Sequence, residues 1–107
     1  MPLEVYLTAR ALEDVEKCRL WWSRHRSAEQ AKRWHAACEQ ALDSLPARAK
    51  GCSRAQESRK APIELRQLVF GVGRRRTHRA VFAIRPDKIV VYRIQHLAQK
   101  DLSIDDL

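Results

Sequence analysis

The second half of the chain constrains the fold most, because three apolar segments of strand character follow one another there with only short polar breaks. The first segment, 63–70, loses its alternation near Leu68, where we expect a β-bulge. The second, 79–85, alternates regularly, and the third, 88–96, follows it across the turn Pro86-Asp87. Strands joined this closely pair in antiparallel fashion, so the sequence predicts a three-stranded meander.

Alternation along the third segment also predicts which of its side chains share a face. One face is predicted to carry Val90, Tyr92, Ile94 and His96, and the other Ile89, Val91, Arg93 and Gln95.

The first half of the chain has the periodicity of a short strand, 5–8, followed by two helices. The first helix is predicted over 9–25. The second begins at a capping box, Ser27 with Gln30 three residues later, and is expected to end near Leu45 because Pro46 follows. The apolar positions at helical spacing are Leu12, Val15, Cys18 or Arg19 and Trp22 in the first helix, and Ala31, Trp34, Cys38, Ala41 or Leu42 and Leu45 in the second.

The order of these elements predicts an α+β fold in one domain, 1–107. A strand leads into an antiparallel two-helix hairpin, and a mostly antiparallel three-stranded meander completes a single sheet. Residues 46–62 have no period and are assigned to a connector with room for a short helical turn. We expect the helices to cover one face of the sheet and the other face to remain at least partly open.

Composition limits the environment in which the chain works. Its three cysteines are widely spaced and form no CxxC pair, which is typical of a reducing compartment. No run approaches the roughly 18 apolar residues of a membrane span. Histidines and cysteines lack zinc-ligand spacing, so we expect no metal and no cofactor. The sequence therefore predicts a cytoplasmic protein without membrane contact.

The chain is strongly basic, with 21 lysines and arginines against 13 acidic residues and a formal net charge of +8. Such a charge serves solubility or attracts a polyanion such as nucleic acid, the ribosome or an acidic protein. Arginine heavily outnumbers lysine, and a planar guanidinium recognises phosphate or carboxylate better than it merely solubilises. This balance favours a polyanionic partner.

The arginines of the strand-rich half are the main candidate binding residues. They are Arg66, Arg74, Arg75, Arg76, Arg79, Arg85 and Arg93. On neighbouring strands and one loop, several are expected to converge on the open face and hold phosphates or carboxylates. The run Arg74–Arg76 fits a solvated loop equally well, whereas Arg66 and Arg79 interrupt apolar strands and so favour a function.

Two residues of the last strand suit acid–base chemistry. RNA cleavage through the 2′-hydroxyl needs a base, an acid and a cation, roles open to His96, Tyr92 and an arginine. A tyrosine on a face rich in Val and Ile is more typical of a core, and a histidine at a strand end often makes a structural hydrogen bond. Helical spacing places Trp22 and Trp34 in the core, while an exposed Trp21 would mark a protein contact.

In order and spacing, these motifs resemble the RelE/ParE family of type II toxin–antitoxin toxins, which includes plasmid stabilisation proteins. The likeness covers roughly residues 3–102. Its pieces are Ala11-x-x-Asp14-Val15, Leu65-Arg66-x-Leu68, His78-Arg79-x-x-Phe82-x-Ile84, and Arg93-Ile94-x-His96 followed by Asp101.

The resemblance implies a small growth inhibitor neutralised by an antitoxin, acting either on DNA gyrase or by cutting mRNA in the ribosome. RelE-like toxins carry catalytic lysines on a strand where this chain has Pro62 and Glu64. Arg79 matches an arginine that RelE-like enzymes place on phosphate. The ending from Ile94 to Asp101 is similar to that of ParE-like toxins, with Lys100 where those have arginine.

Three hypotheses follow. The favoured one is a ParE-like inhibitor that binds DNA gyrase without its own catalysis, using Arg66, Arg74, Arg75, Arg76, Arg79 and Arg93 on its target. The second is a metal-independent, ribosome-dependent endoribonuclease using Arg66, Arg79 and His96. The third is a degenerate basic module that only binds its partner. In each, an acidic, largely unfolded antitoxin segment is expected to dock on the helices and a sheet edge.

Overall fold

A computed structural model describes residues 3–99 and 101–107 of the chain, apart from the side chain of Ile104. Lys100, which stands where ParE-like toxins have an arginine, lies outside the described residues. The strands are β1 (Glu4–Leu7), β2 (Arg66–Phe70), β3 (His78–Ile84) and β4 (Lys88–His96), and the helices are α1 (Ala9–His25) and α2 (Ala28–Arg48). Short 3₁₀ helices lie at Ala49–Gly51, Gln56–Arg59 and Ile104–Asp106.

The four strands form one sheet in the order β1-β4-β3-β2. β1 runs parallel to β4, and the remaining pairs are antiparallel. The parallel pair arises because the two-helix hairpin carries the chain from one edge of the sheet to the other. The predicted α+β fold, with a mostly antiparallel sheet covered by the helices on one face, is confirmed.

Both helices begin at a side-chain cap. The Thr8 hydroxyl accepts a hydrogen bond from the Ala11 N–H at 3.1 Å, and Ser27 accepts one from the Gln30 N–H at 3.1 Å, as predicted for the second helix. α2 continues to Arg48, so the prediction that it ends at Leu45 is wrong. Pro46 stands in the last turn, where a missing N–H removes only one helical bond.

The main core lies between the helices and the sheet. Trp34, Cys38 and Leu45 of α2 are almost completely buried against Phe82 of β3 and Ile89 of β4. In α1, Val15, Cys18 and Trp22 pack against this core as predicted, whereas Ala11 is buried and Leu12 is 58% exposed. The expectation that Leu12 belongs to the core is therefore wrong, because the buried stripe of α1 begins one position earlier.

The expected β-bulge lies at a different place. β2 pairs with β3 in an unbroken register, so its alternation near Leu68 is regular. The irregularity lies between β3 and β4, where the pair Val81–Arg93 is followed by Phe82–Val91. Tyr92 is left without a partner across the ladder, as in a bulge.

This bulge changes the faces of β4 from those that simple alternation predicts. Ile89 and Val91 pack in the main core, and Ile94 returns to the same core three residues later. Tyr92 packs instead in a second cluster. The predicted grouping of Ile94 with Tyr92 is therefore wrong, since one extra residue reverses the alternation.

The second cluster covers the other face of the sheet. Ala55 and Leu65, from the chain before β2, are buried against Val81 and Ala83, with Leu102 and Leu107 of the tail beside them. The connector and the tail therefore cover part of the face that was expected to be at least partly open. No helix in the described residues has the length and apolar character needed to cross a bilayer.

Candidate functional site

Arg79 lies inside the covered face rather than on an open one. Its guanidinium is bonded to both carboxylate oxygens of Glu57, and it also donates to Gln67 at 3.0 Å and to Gln95. The residue is 7% exposed, and Glu57 is 6% exposed. Burial alone would raise the pKa of Glu57, but hydrogen bonds from Arg79 and the Leu102 N–H outweigh it and lower the pKa to about 2.

Arg93 is also held internally. It donates to both oxygens of Asp14 on α1, at 2.7 and 3.0 Å, and to the Asp106 carbonyl at 2.9 Å. The Ile94 N–H donates to the same carboxylate at 2.9 Å. The hydrogen bond to Asp14 raises the pKa of Arg93 despite partial burial. The Ala11-x-x-Asp14 and Arg93-Ile94 motifs thus meet in one contact that ties α1 to β4.

Arg66 secures the connector to β2. It donates to the carbonyl oxygens of Lys50 and Cys52, at 3.2 and 2.7 Å, and forms an ion pair with Glu64 at 2.7 Å. Its side chain is about one-quarter exposed, so it is more accessible than that of Arg79.

The three residues expected to act together in a nuclease do not meet. His78 pairs with His96 across the ladder, so both side chains point to the helix-covered face, and neighbouring Arg79 points to the other. Arg66 pairs with Phe82 and lies level with Val91, near the middle of β4, whereas His96 is at the end of that strand. The expected convergence of strand arginines on one open face is also absent.

The run Arg74–Arg76 instead lines a groove against α2. This groove has a volume of about 510 Å³, and Arg48 contributes a fourth guanidinium to it. Within the described residues, none of these four guanidinium groups has an acidic partner. A Cβ on Gly71 would meet the Arg75 carbonyl oxygen at 1.7 Å, so this tight loop requires glycine there.

A second cavity, of about 490 Å³, lies between α1 and the adjoining ends of β3 and β4. His78 and His96 face this cavity, with ring centres 5.0 Å apart, and Lys17 of α1 also lines it. Burial, with a smaller effect from His96, lowers the pKa of His78 to about 4, so this imidazole is neutral at pH 7. We call this space the histidine cavity.

Hydrogen bonds fix the tautomer of both imidazoles. The indole N–H of Trp34 donates to Nδ1 of His78 at 3.3 Å, and the Ala98 N–H donates to Nδ1 of His96 at 3.0 Å. Both donors can only donate, so each neutral ring carries its proton on Nε2. The histidine cavity is therefore lined by N–H donors, an arrangement suited to binding an acceptor and not to removing a proton.

The remaining polar groups of the histidine cavity are neutralised or neutral. Asp14 is paired with Arg93, and burial together with Asp14 raises the pKa of the Cys18 thiol to about 11. A thiol at that pKa is neither a nucleophile nor a ready metal ligand. Across the described residues, no group of three or more His, Cys, Asp or Glu is placed to hold a metal ion.

Part of the apolar surface of α1 remains uncovered. Leu20 is 40% exposed and Trp21 is 47% exposed, and Trp21 stacks on His25 with ring centres 4.8 Å apart. Trp21 is therefore exposed, which is the condition under which the sequence predicted that it marks a protein contact.

Sequence reasoning did not single out Glu57, Lys17 or His78 as functional positions. Glu57 lies in a connector without a period, so nothing local linked it to Arg79. His78 had a usable signal, because it begins a strand that pairs with the strand ending in His96. In an antiparallel hairpin these two ends must be neighbours.

The fold and its contacts define a class of small α+β proteins in which a helical hairpin covers a four-stranded sheet. Solved structures share this fold. One described as "Chromosomal ParDE TA system from P. aeruginosa" superposes with a TM-score of 0.70, at 17% identity, over 88% of this chain and 95% of that one. Among curated proteins, none matches the sequence. The family model for the ParE toxin of the type II toxin–antitoxin system, parDE, matches residues 5–101, and the chain belongs to this family.

Proposed function

We propose that this chain is the toxin of a type II toxin–antitoxin pair and that it inhibits DNA gyrase by binding, without cutting RNA. The observation that carries the proposal is the ParE family match over residues 5–101. The site geometry supports binding over catalysis. Arg79 is occupied by Glu57, and neither His78 nor His96 offers a free lone pair to act as a base.

The arginines divide into two groups in this proposal. Arg66, Arg79 and Arg93 hold the connector, the tail and α1 in place, since each is bonded within the protein. Arg74, Arg75 and Arg76, together with Arg48, meet an anionic surface of the target or of the antitoxin. These four cations have no acidic partner in the part of the chain that the structure describes, so they raise the local potential, which favours such an encounter.

The antitoxin partner is proposed to be an acidic segment that covers α1. Trp21 and Leu20 supply exposed apolar contacts, and a charge of +8 favours an acidic partner. Trp21→Ala is expected to weaken the complex at least tenfold, because large aromatic anchors dominate such interfaces. Arg85→Ala, at the exposed turn between β3 and β4 and away from α1, is the control. Equal affinities for both variants in a calorimetric titration would place the antitoxin elsewhere.

Supercoiling of a relaxed plasmid by purified gyrase tests the target. We expect the full chain to inhibit supercoiling, and we expect prior addition of the antitoxin to prevent this. In a parallel translation reaction, the mRNA should stay intact. Cut mRNA with normal supercoiling would establish the nuclease alternative, whereas no effect in either assay would indicate a module that only binds its partner.

A further inference from the structure

We propose that the histidine cavity is a binding site for a small monocarboxylic acid with an aromatic body. Its carboxylate would accept hydrogen bonds from Nε2–H of His78 and of His96, and its ring would lie among Trp21, Trp22 and Ile94. This site is independent of the gyrase proposal, because it rests only on the groups that line the cavity.

The first support is a histidine N–H that faces the cavity and has no acceptor among the described residues. His78 is 4% exposed, and Trp34 and Thr77 both meet its Nδ1, at 3.3 and 2.7 Å. Its Nε2–H therefore has to find another partner, and no described residue supplies one. Every fully buried polar side-chain atom in the described residues has a partner, so this N–H must be one that the cavity exposes.

The second support is the charge around the cavity. The ammonium of Lys17 is free of any ion pair among the described residues, whereas Asp14 is neutralised by Arg93 and the Cys18 thiol is uncharged. These groups leave an excess of one positive charge, which matches one carboxylate. None of the described residues that line the cavity is an arginine, the side chain that most often binds a phosphate.

The third support is the shape and lining. A volume of about 490 Å³ falls within the range of small-molecule sites, roughly 300–1,000 Å³. Trp22 and Trp21 meet edge to face with ring centres 5.4 Å apart, so one wall is aromatic. An apolar cavity with two or three convergent polar groups is typical of a site that orients one end of a flat molecule.

The tautomers also argue against a metal in this cavity. A metal on Nε2 would need the proton of His78 on Nδ1, where the indole N–H of Trp34 already points. Binding of a metal would therefore break the Trp34 hydrogen bond inside the core. An oxygen acceptor keeps every observed bond and adds to them.

Calorimetric titration of the full chain with indole-3-acetate tests the site, with indole-3-acetamide as the matched probe that lacks the charge. We expect the acid to bind at least tenfold more tightly than the amide. His96→Ala and Lys17→Ala should each weaken the acid several-fold. His35→Ala and Lys32→Ala, on α2 and away from the cavity, should leave the affinity unchanged.

A spectroscopic measurement keeps the test independent of any variant that fails to fold. In ¹⁵N spectra of the unaltered chain, we expect the Nε2 signal of His78 to be protonated and to shift when the acid binds. Three results would each overturn the proposal: equal affinities for the acid and the amide, a His78 signal that does not shift, or a loss of affinity in the α2 control variants as large as in His96→Ala and Lys17→Ala. Displacement of the acid by inorganic phosphate at similar concentration would overturn the preference for an aromatic body.

Discussion

The helix-covered face of the sheet is held by apolar packing, whereas the opposite face encloses an ion pair. On the first, Trp34, Leu45 and Phe82 are completely buried by helices with regular periodicity. On the second, the connector and the tail meet around Arg79 and Glu57. Segments without periodicity can therefore close a sheet face if a buried charged pair organises them.

Removing the acidic partner should produce the largest effect. Glu57→Ala leaves the Arg79 charge buried and unpaired, and we expect it to lower the free energy of unfolding by about 3–5 kcal/mol. Urea denaturation measures the change. Glu64→Ala, which breaks only exposed ion pairs with Arg54 and Arg66, is the control and should cost less than about 1 kcal/mol.

The double variant Glu57→Leu, Arg79→Met separates pairing from packing. Without either charge, it should recover most of the stability that Glu57→Ala loses, because no buried charge remains unpaired. If Glu57→Ala costs no more than the Glu64→Ala control, the second face is held by its apolar residues alone.

The two faces should also lose their contributions to the free energy of unfolding in different pH ranges. The pKa of His78 is about 4 in the folded protein against 6.5 in the unfolded chain, so its contribution is complete above pH 6.5 and is lost as the pH falls through 4. The pKa of Glu57 is about 2 against 4.5, so its contribution is lost between pH 4.5 and 2. Each range corresponds to roughly 3 kcal/mol.

Urea denaturation between pH 7 and pH 2 measures both losses. The difference in stability between the unaltered chain and Glu57→Gln should shrink only below pH 4.5, since a glutamine amide at this position does not titrate. A difference that instead shrinks between pH 6.5 and 5 would show that the variant has disturbed His78 and the helix-covered face.

The sequence predicted the buried residues of the helix-covered face but not the partner of Arg79 on the opposite face, because only the helices repeat their buried positions at a fixed spacing. Trp34, Cys38 and Leu45 were predicted in the core because a helix repeats its buried face at a fixed spacing. Arg79 was assigned to an anion partner, and its actual partner Glu57 lies 22 residues earlier in a connector with no period.

The site residues show the same limit. The alternation of side chains along β3 correctly places Arg79 and Ala80 on opposite faces of the sheet, but it does not show which of the two faces the connector covers. The residue left unpaired at Tyr92 then reverses the faces in β4, and no local signal in an apolar run such as Val90-Val91-Tyr92 marks its position. The neighbouring ends of β3 and β4, and hence the approach of His78 to His96, do follow from the hairpin.

A smaller effect is expected for Trp34→Phe on the helix-covered face. The substitution removes the indole donor to His78 and leaves a small cavity, while Thr77 still bonds Nδ1, so we expect a loss of about 1–3 kcal/mol. Urea denaturation gives the loss, and ¹⁵N spectra show whether His78 keeps its Nε2 proton. A loss as large as that of Glu57→Ala would mean that the first face also depends on a polar contact.

The smallest effect on stability is expected outside both faces, at Arg74, Arg75 and Arg76. These side chains are exposed and have no acidic partner among the described residues, so replacing all three with alanine should change the free energy of unfolding by less than about 0.5 kcal/mol. Relief of their mutual repulsion offsets whatever weak contacts they make. Because the loop backbone depends on Gly71 and not on these side chains, the groove should keep its shape.

The same triple substitution should nevertheless weaken binding to an acidic partner. Binding should also lose part of its salt dependence, since three of the four cations of the groove are gone. Affinity that is unchanged at both low and high salt would show that the groove serves solubility, and that the surface of α1 carries the recognition.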